Sequence, residues 1–192
     1  FISEQIDSIV SQSHSNWSLH ISDDDSSDGS NRIIKGYTKQ FAKKISINNV
    51  QNNDFRKSFL QLVCDKSIDS QYFSFADQDD IWEEDKLKVA LEFLQTIPED
   101  TPALFCSRTT IVDRDNQTLS LSPLFKRIPS FANALVQNIG GGNTMVFNLA
   151  AKRLLEKAGS DIEIPSHDWW TYMVVLGCGG KVFYDTNPYI RY

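Results

Sequence analysis

Three carboxylates within four positions, Asp77, Asp79 and Asp80, follow directly on the aromatic run at residues 72–76. That run is short, apolar and rich in β-forming side chains, so it reads as a buried strand. After the carboxylates, Leu87, Ala90, Leu91 and Leu94 recur at helical spacing. The acidic cluster therefore sits where a strand ends and a helix begins. In open α/β sheets that edge is where ligands bind. The stretch 71–86 thus calls for a sheet with helices packed on it and a charged site at a strand end.

Clustered carboxylates repel one another, and two physical accounts compete for them. A hard divalent cation, Mg²⁺ or Mn²⁺, takes oxygen ligands and is commonly held by one or two carboxylates together with substrate phosphates. Alternatively, the acids cap the helix. Asp80 with Glu83 three residues on fits a capping box, and Glu83, Glu84 and Asp85 suit a helix N-terminus. Capping accounts for Asp80 and leaves Asp77 and Asp79 unexplained.

The flanking chain repeats the same rhythm. Ile2, Ile6, Ile9 and Val10 share a helical face, and residues 17–21 alternate like a strand. A helix with Ile33, Ile34, Tyr37 and Phe41 inward follows, then a short strand at 45–47 and an Asn-rich loop at 48–53. Phe55, Phe59, Leu62 and Val63 mark a further helix before the central strand. Strand and helix alternating at this spacing mean a largely parallel sheet covered by helices. The second half predicts a strand at 103–106, a hairpin turn at 112–116 and a loop at 119–130. A short helix at 131–136, a strand at 144–147, helices at 149–158 and 168–176, and a strand at 181–184 complete it.

A second acidic cluster, residues 23–30, lies between the first strand and the next helix. As Asp24-x-Ser26-x-Asp28-Gly29 it imitates the start of an EF-hand loop, but the twelfth position is Lys35 where that loop needs a bidentate Glu. It remains either a polar loop in which Asp28 or Ser30 caps the helix or a nucleotide site. A carboxylate there can accept a base N–H or a ribose hydroxyl. The glycines 140–142 form a tight turn or allow a ligand close to the backbone. Ser166-His167-Asp168-Trp169-Trp170 is either a helix N-cap with packing tryptophans or a polar site beside aromatic faces.

The formal net charge of −6 argues against nucleic acid as the main partner. No apolar run approaches the roughly 20 residues that span a bilayer. Cys64, Cys106 and Cys178 sit in apolar segments without ligand spacing and read as reduced core residues. The histidines His14, His20 and His167 share no metal-ligand spacing either, which argues against zinc.

Phe-Ala-Asp-Gln-Asp-Asp-Ile-Trp, residues 75–82, resembles the metal-binding Asp-x-Asp motif of family 2 glycosyltransferases, most of all their bacterial rhamnosyltransferase-like branch. Residues 21–30, Ile-Ser-Asp-Asp-Asp-Ser-Ser-Asp-Gly-Ser, are similar to the Asp-Asp-Gly-Ser-x-Asp-Gly-Thr motif of the same enzymes, with Asp25 where the family usually has Gly. The resemblance implies a GT-A fold: a single Rossmann-like α/β domain over residues 1–192, with a mixed, mainly parallel sheet and helices on both faces. It implies that the family's first strand would precede Phe1 and that a further segment would follow Tyr192. By the same resemblance Asp23 binds the nucleotide base, and Asn53 and Asp77 also line the nucleotide. Asp79, with Asp77, holds Mg²⁺ or Mn²⁺, and Asp168 is the catalytic base. Trp82, Gly141, Gly142, His167 and Trp169 flank the sugar and acceptor.

The implied activity is inverting transfer of a sugar, rhamnose among the candidates, from a dTDP- or UDP-sugar to a saccharide or lipid-linked hydroxyl. Cell-surface polysaccharide synthesis, in the cytoplasm or at the inner face of the membrane, is the implied setting. Two other classes stay open. One is a non-catalytic nucleotide- or carbohydrate-binding domain, which turnover would exclude. The other is a nucleotidyltransferase, which would need basic residues around a triphosphate; none cluster near Asp77.

Overall fold

Alternation along one strand explains how the molecule is layered. In β5 (Ala103–Val112), Leu104 and Cys106 join one apolar cluster while Ala103 and Phe105 join another. Side chains of period two point to opposite faces, so both faces of this strand are covered. The first face meets α3 (Phe55–Cys64), α6 (Leu149–Ala158) and α7 (His167–Gly177), through Val63, Leu155, Tyr172 and Val175. The second meets α4 (Lys86–Leu94), through Ala90 and Leu94.

The computed structural model describes residues 1–49 and 54–192. The remaining elements are α1 (Ile2–Val10), β1 (Leu19–Asp23), α2 (Ser30–Gln40), β2 (Ile45–Asn49), β3 (Tyr72–Ser74), β4 (Ile81–Trp82), β6 (Thr118–Leu121), α5 (Phe131–Ala134), β7 (Val146–Asn148) and β8 (Lys181–Arg191). Six strands form one sheet in the order β3-β7-β5-β8-β4, with β6 added on β5; β1 and β2 form a separate parallel pair. Among the described residues β1 pairs only with β2, and β3 only with β7. No helix among them is long and apolar enough to cross a membrane.

The α/β architecture and mixed sheet are as the sequence predicts, and helices cover both faces of the central strand. The balance of the sheet is different. Among the described residues only β1–β2 and β5–β8 pair in parallel, while β3–β7, β4–β8, β5–β6 and β5–β7 are antiparallel. Parallel pairing needs a long crossover. The helix between β1 and β2 supplies one, whereas β5 returns through a tight turn at 113–116 into β6. Two helix faces also rotate from the expected frame. Ile34 is buried where Ile33 is exposed, and Leu60 faces the core where Phe55 is exposed.

Two tertiary ties fix the edge that carries the acidic loop. Ser8 Oγ on α1 accepts the Trp82 N–H at 3.0 Å, and Gln12 accepts from Leu87 N–H and donates to the Glu83 carbonyl. At the other end of β7, Asn148 Oδ1 caps α6 through Ala151 N–H and also accepts the Ala103 N–H, locking β5 to β7.

Candidate active site

β3 ends at Ser74, and the chain turns outward through the acidic stretch before β4. Asp79 is exposed, Asp77 half-buried and Asp80 wholly buried. The capping-box account of Asp80 is corrected here. Residues 81–82 form a strand on β8, α4 starts only at Lys86, and Asp85 holds its N-cap position. The Glu83 N–H, which a cap would use, donates instead to the Tyr189 carbonyl. Neither oxygen of Asp80 has a well-formed hydrogen bond among the described residues; the Asn143 side chain is the polar group that favours its charge. Burial, with the charges of Asp77 and Asp79, pushes the Asp80 carboxyl up to about 7, against the pull of Asn143 and Lys86.

Asp77 is pushed up to about 6, by burial first and then by the charges of Asp79 and Asp168, with Lys86 opposing. Three carboxylates from two distant segments thus feel one another. Behind them lies Lys86, fully buried, its Nζ donating to Ser74 Oγ at 2.8 Å and lying 3.3 Å from the centre of the Trp82 ring. Burial drives the Lys86 amine well below its ordinary value, while Asp80 and Asp77 favour its charge.

Asp168 stands in the first turn of α7 and stays half-buried. Its Oδ2 accepts from Asn138 Nδ2 at 2.9 Å and from the Gly142 N–H at 3.1 Å; its Oδ1 accepts the Trp169 N–H at 2.7 Å. The Gly142 bond demands glycine. A Cβ there would stand 2.5 Å from His167 Nε2 and 3.2 Å from Asp168 Cβ. The Gly-rich turn, a single turn of 3-10 helix at Gly142–Thr144, is therefore a close backbone approach to α7.

Asp23 closes β1 and is 5% exposed. Burial alone would raise its carboxyl, but hydrogen bonds from Ser26 and Asn31 more than offset that and hold it below its ordinary value. The Asn31 amide donates to Asp23 Oδ2 at 2.7 Å. Gly29 holds the N-cap position of α2, and Asp28 accepts the N–H of Ser30 beside it.

Other expected site residues are placed as follows. Gly141 is exposed at the turn, and Gly142 is buried against α7. His167 is 4% exposed and stacked on Phe59, with both ring nitrogens unpartnered among the described residues, so it backs the turn rather than facing an open cleft. Trp82 is buried with Ile9 and Ile190, and Lys86 covers a face of its ring. Trp169 is half-buried, its indole N–H donating to the Ala134 carbonyl. Asn53 lies outside the described residues. Lys86, Asn138, Asn143 and Asn31 were not singled out from the sequence.

The donor set around Asp77 and Asp79 is all oxygen, which suits a hard cation. Among the described residues no group of three or more His, Cys, Asp or Glu side chains forms a ready-made cage. An exposed Asp79 beside Asp77 fits an ion shared with ligand phosphates, the usual arrangement for Mg²⁺.

The family model for glycosyl transferase family 2 matches residues 1–155. The chain belongs to glycosyl transferase family 2. The dTDP-rhamnosyl transferase RfbG of Shigella flexneri is 26% identical over 206 residues, covering 100% of this chain and 68% of RfbG. The putative teichuronic acid biosynthesis glycosyltransferase TuaG of Bacillus subtilis (strain 168) is 32% identical over 97 residues, 49% of this chain and 36% of TuaG. Among solved structures, S. aureus TarS 1–349 in complex with UDP superposes with a TM-score of 0.71 at 15% identity, over 100% of this chain and 56% of that one. That likeness places the fold as GT-A, and the activity class is glycosyl transfer.

Proposed function

We propose that this family 2 domain transfers a sugar, with inversion, from a nucleoside-diphosphate sugar to an acceptor hydroxyl, with Asp168 as general base. The observation that carries the reading is the meeting of two acidic segments. Asp168, held by Gly142 and Asn138, stands close enough to the strand-end carboxylates to raise Asp77. A base and a leaving-group site must flank one sugar carbon, and acidic groups on two separate segments supply a candidate for each.

The acceptor hydroxyl gives its proton to the Asp168 carboxylate as its oxygen bonds to the anomeric carbon. The bond from that carbon to the diphosphate breaks, and its electron pair leaves on the diphosphate. Asp79, with Asp77, would hold Mg²⁺ or Mn²⁺, which would neutralise charge on the departing diphosphate. Asp23, ordered by Asn31 and held ionised, is suited to accept a base N–H. The name of RfbG supports dTDP-rhamnose as donor, and the TarS complexes with UDP and UDP-GlcNAc support a uridine nucleotide. The acceptor is read as a saccharide or lipid-linked hydroxyl of a cell-surface polysaccharide, reached from the cytoplasmic side.

Calorimetric titration of UDP and dTDP, with and without Mn²⁺, tests this on wild type and Asp79→Ala. Wild type should bind more tightly with Mn²⁺, and Asp79→Ala should lose that increment while keeping its melting temperature. An unchanged Mn²⁺ increment in the variant would remove Asp79 from the site.

A further inference from the structure

We infer that Asn138 is a positioning residue for Asp168, an inference that rests on the reading of Asp168 as the base. Asp168 accepts three hydrogen bonds, and two of the donors, Gly142 N–H and Trp169 N–H, are backbone groups set by the fold. Asn138 is the one side chain among them. Its own orientation is fixed, because its Oδ1 accepts the Ile139 N–H at 2.9 Å. With the carbonyl end committed, the amide NH₂ is the end that faces Asp168. Asn138 and Gly142 converge on Oδ2, whereas among the described residues Oδ1 is met only by the N–H of the next residue.

The consequence is geometric. A carboxylate in the first turn of a helix keeps two rotatable side-chain bonds, and a base works only when its lone pair meets the acceptor proton within a fraction of an ångström. Two donors on Oδ2 pin the plane of the carboxylate. Without the Asn138 amide one donor remains on that oxygen, and the group can swing about it. Misplacement of about 1 Å can cost on the order of 10²-fold in rate.

Two variants separate the donor from the space it fills. Asn138→Ala removes donor, acceptor and volume. Asn138→Asp keeps the shape and the acceptor for Ile139 N–H, but places a carboxylate where Asp168 needs a donor. Crystal structures of both show the Asp168 rotamer. Release of dTDP from dTDP-rhamnose and of UDP from UDP-GlcNAc, with water as acceptor, gives kcat and KM. Asp168 should change rotamer or lose order in both variants while the 138–144 backbone stays in place. The kcat should fall about 10–10²-fold in both, with donor KM unchanged, and Asn138→Asp should be no better than Asn138→Ala. In an Asp168→Asn background the Asn138 substitutions should cost nothing further. An unmoved Asp168 in both crystals, or an Asn138→Asp variant with normal kcat, overturns the inference. If Asp168→Asn itself turns over normally, it is the assignment of the base that fails.

Discussion

Replacing His167 by leucine should remove an acid-sensitive step from the stability of the protein. The ring lies in an aromatic cage: Phe59 stacks on it at 3.9 Å between centroids, and Phe75 meets it edge-on at 4.7 Å. It is 4% exposed, and neither nitrogen has a hydrogen-bond partner among the described residues. Burial lowers its pKa from 6.5 to about 4, with the Asp168 charge opposing. Above 6.5 the ring is neutral in both folded and unfolded chains, and its stability contribution is fully present. As the pH falls from 6.5 towards about 4, the unfolded chain takes up a proton that the folded chain refuses, so stability is lost across that window. Below about 4 the loss is complete. At about 1.4 kcal/mol per pKa unit the gap corresponds to about 3 kcal/mol. Leucine has similar volume and no proton to bind, and it leaves no buried nitrogen unpaired. Urea unfolding of wild type and His167→Leu, from about pH 7 down to about pH 4, measures the effect. Both proteins carry the same carboxylates, so the difference between their curves reports the ring together with its coupling to Asp168. The variant should gain on wild type by about 3 kcal/mol towards acid. Parallel curves through the window would refute the account of the cage.

Two further outcomes are expected. Gly142→Ala would put a Cβ 2.5 Å from His167 Nε2, so either α7 or the turn must shift. It should cost about 1–3 kcal/mol of overpacking, seen as a lower melting temperature, and an unchanged one would mean that the turn yields freely. The Cys106 thiol is buried, and burial holds its pKa far above the ordinary value, while Cys178 is exposed. A thiol reagent should therefore label native protein at Cys178 and reach Cys106 only after unfolding. Peptide mapping of the labelled protein would show it, and early labelling of Cys106 would contradict the burial.

Elements with a local apolar period were legible. The helix at 149–158 is found with its predicted bounds, and α1, α3, α4 and α7 lie within a few residues of theirs. What escaped was non-local. β4 is two residues long and exists because Ile81 and Trp82 find Arg191 and Ile190 of β8, more than 100 residues away. The same pairing draws Glu83 N–H to Tyr189 and so defeats a capping box that the local spacing fits. Lys86 adjoins the apolar face of α4 and is fully buried, which its residue type alone does not announce. No spacing betrays Asn138, an amide two residues ahead of the glycines; only the approach of that turn to α7 brings it to Asp168.

Burial divides the labour among the clustered acids. Asp79 keeps its solvent contact and is therefore the carboxylate free to meet an incoming ligand. Asp80 has lost that contact, and with a carboxyl raised to about 7 it sits near the border between charged and neutral. Its neighbours pull in the opposite direction to burial: the Asn143 side chain from the Gly-rich turn and the Lys86 amine from α4. Those two segments are distant in sequence, so the acidic loop is braced from both sides by groups that its own motif does not contain. The Gly-rich turn then reaches onward. Gly142, next to Asn143, hands its N–H to Asp168. The acidic loop and Asp168 are consequently linked by one short turn, in which a Cβ at Gly142 would stand 2.5 Å from His167 Nε2.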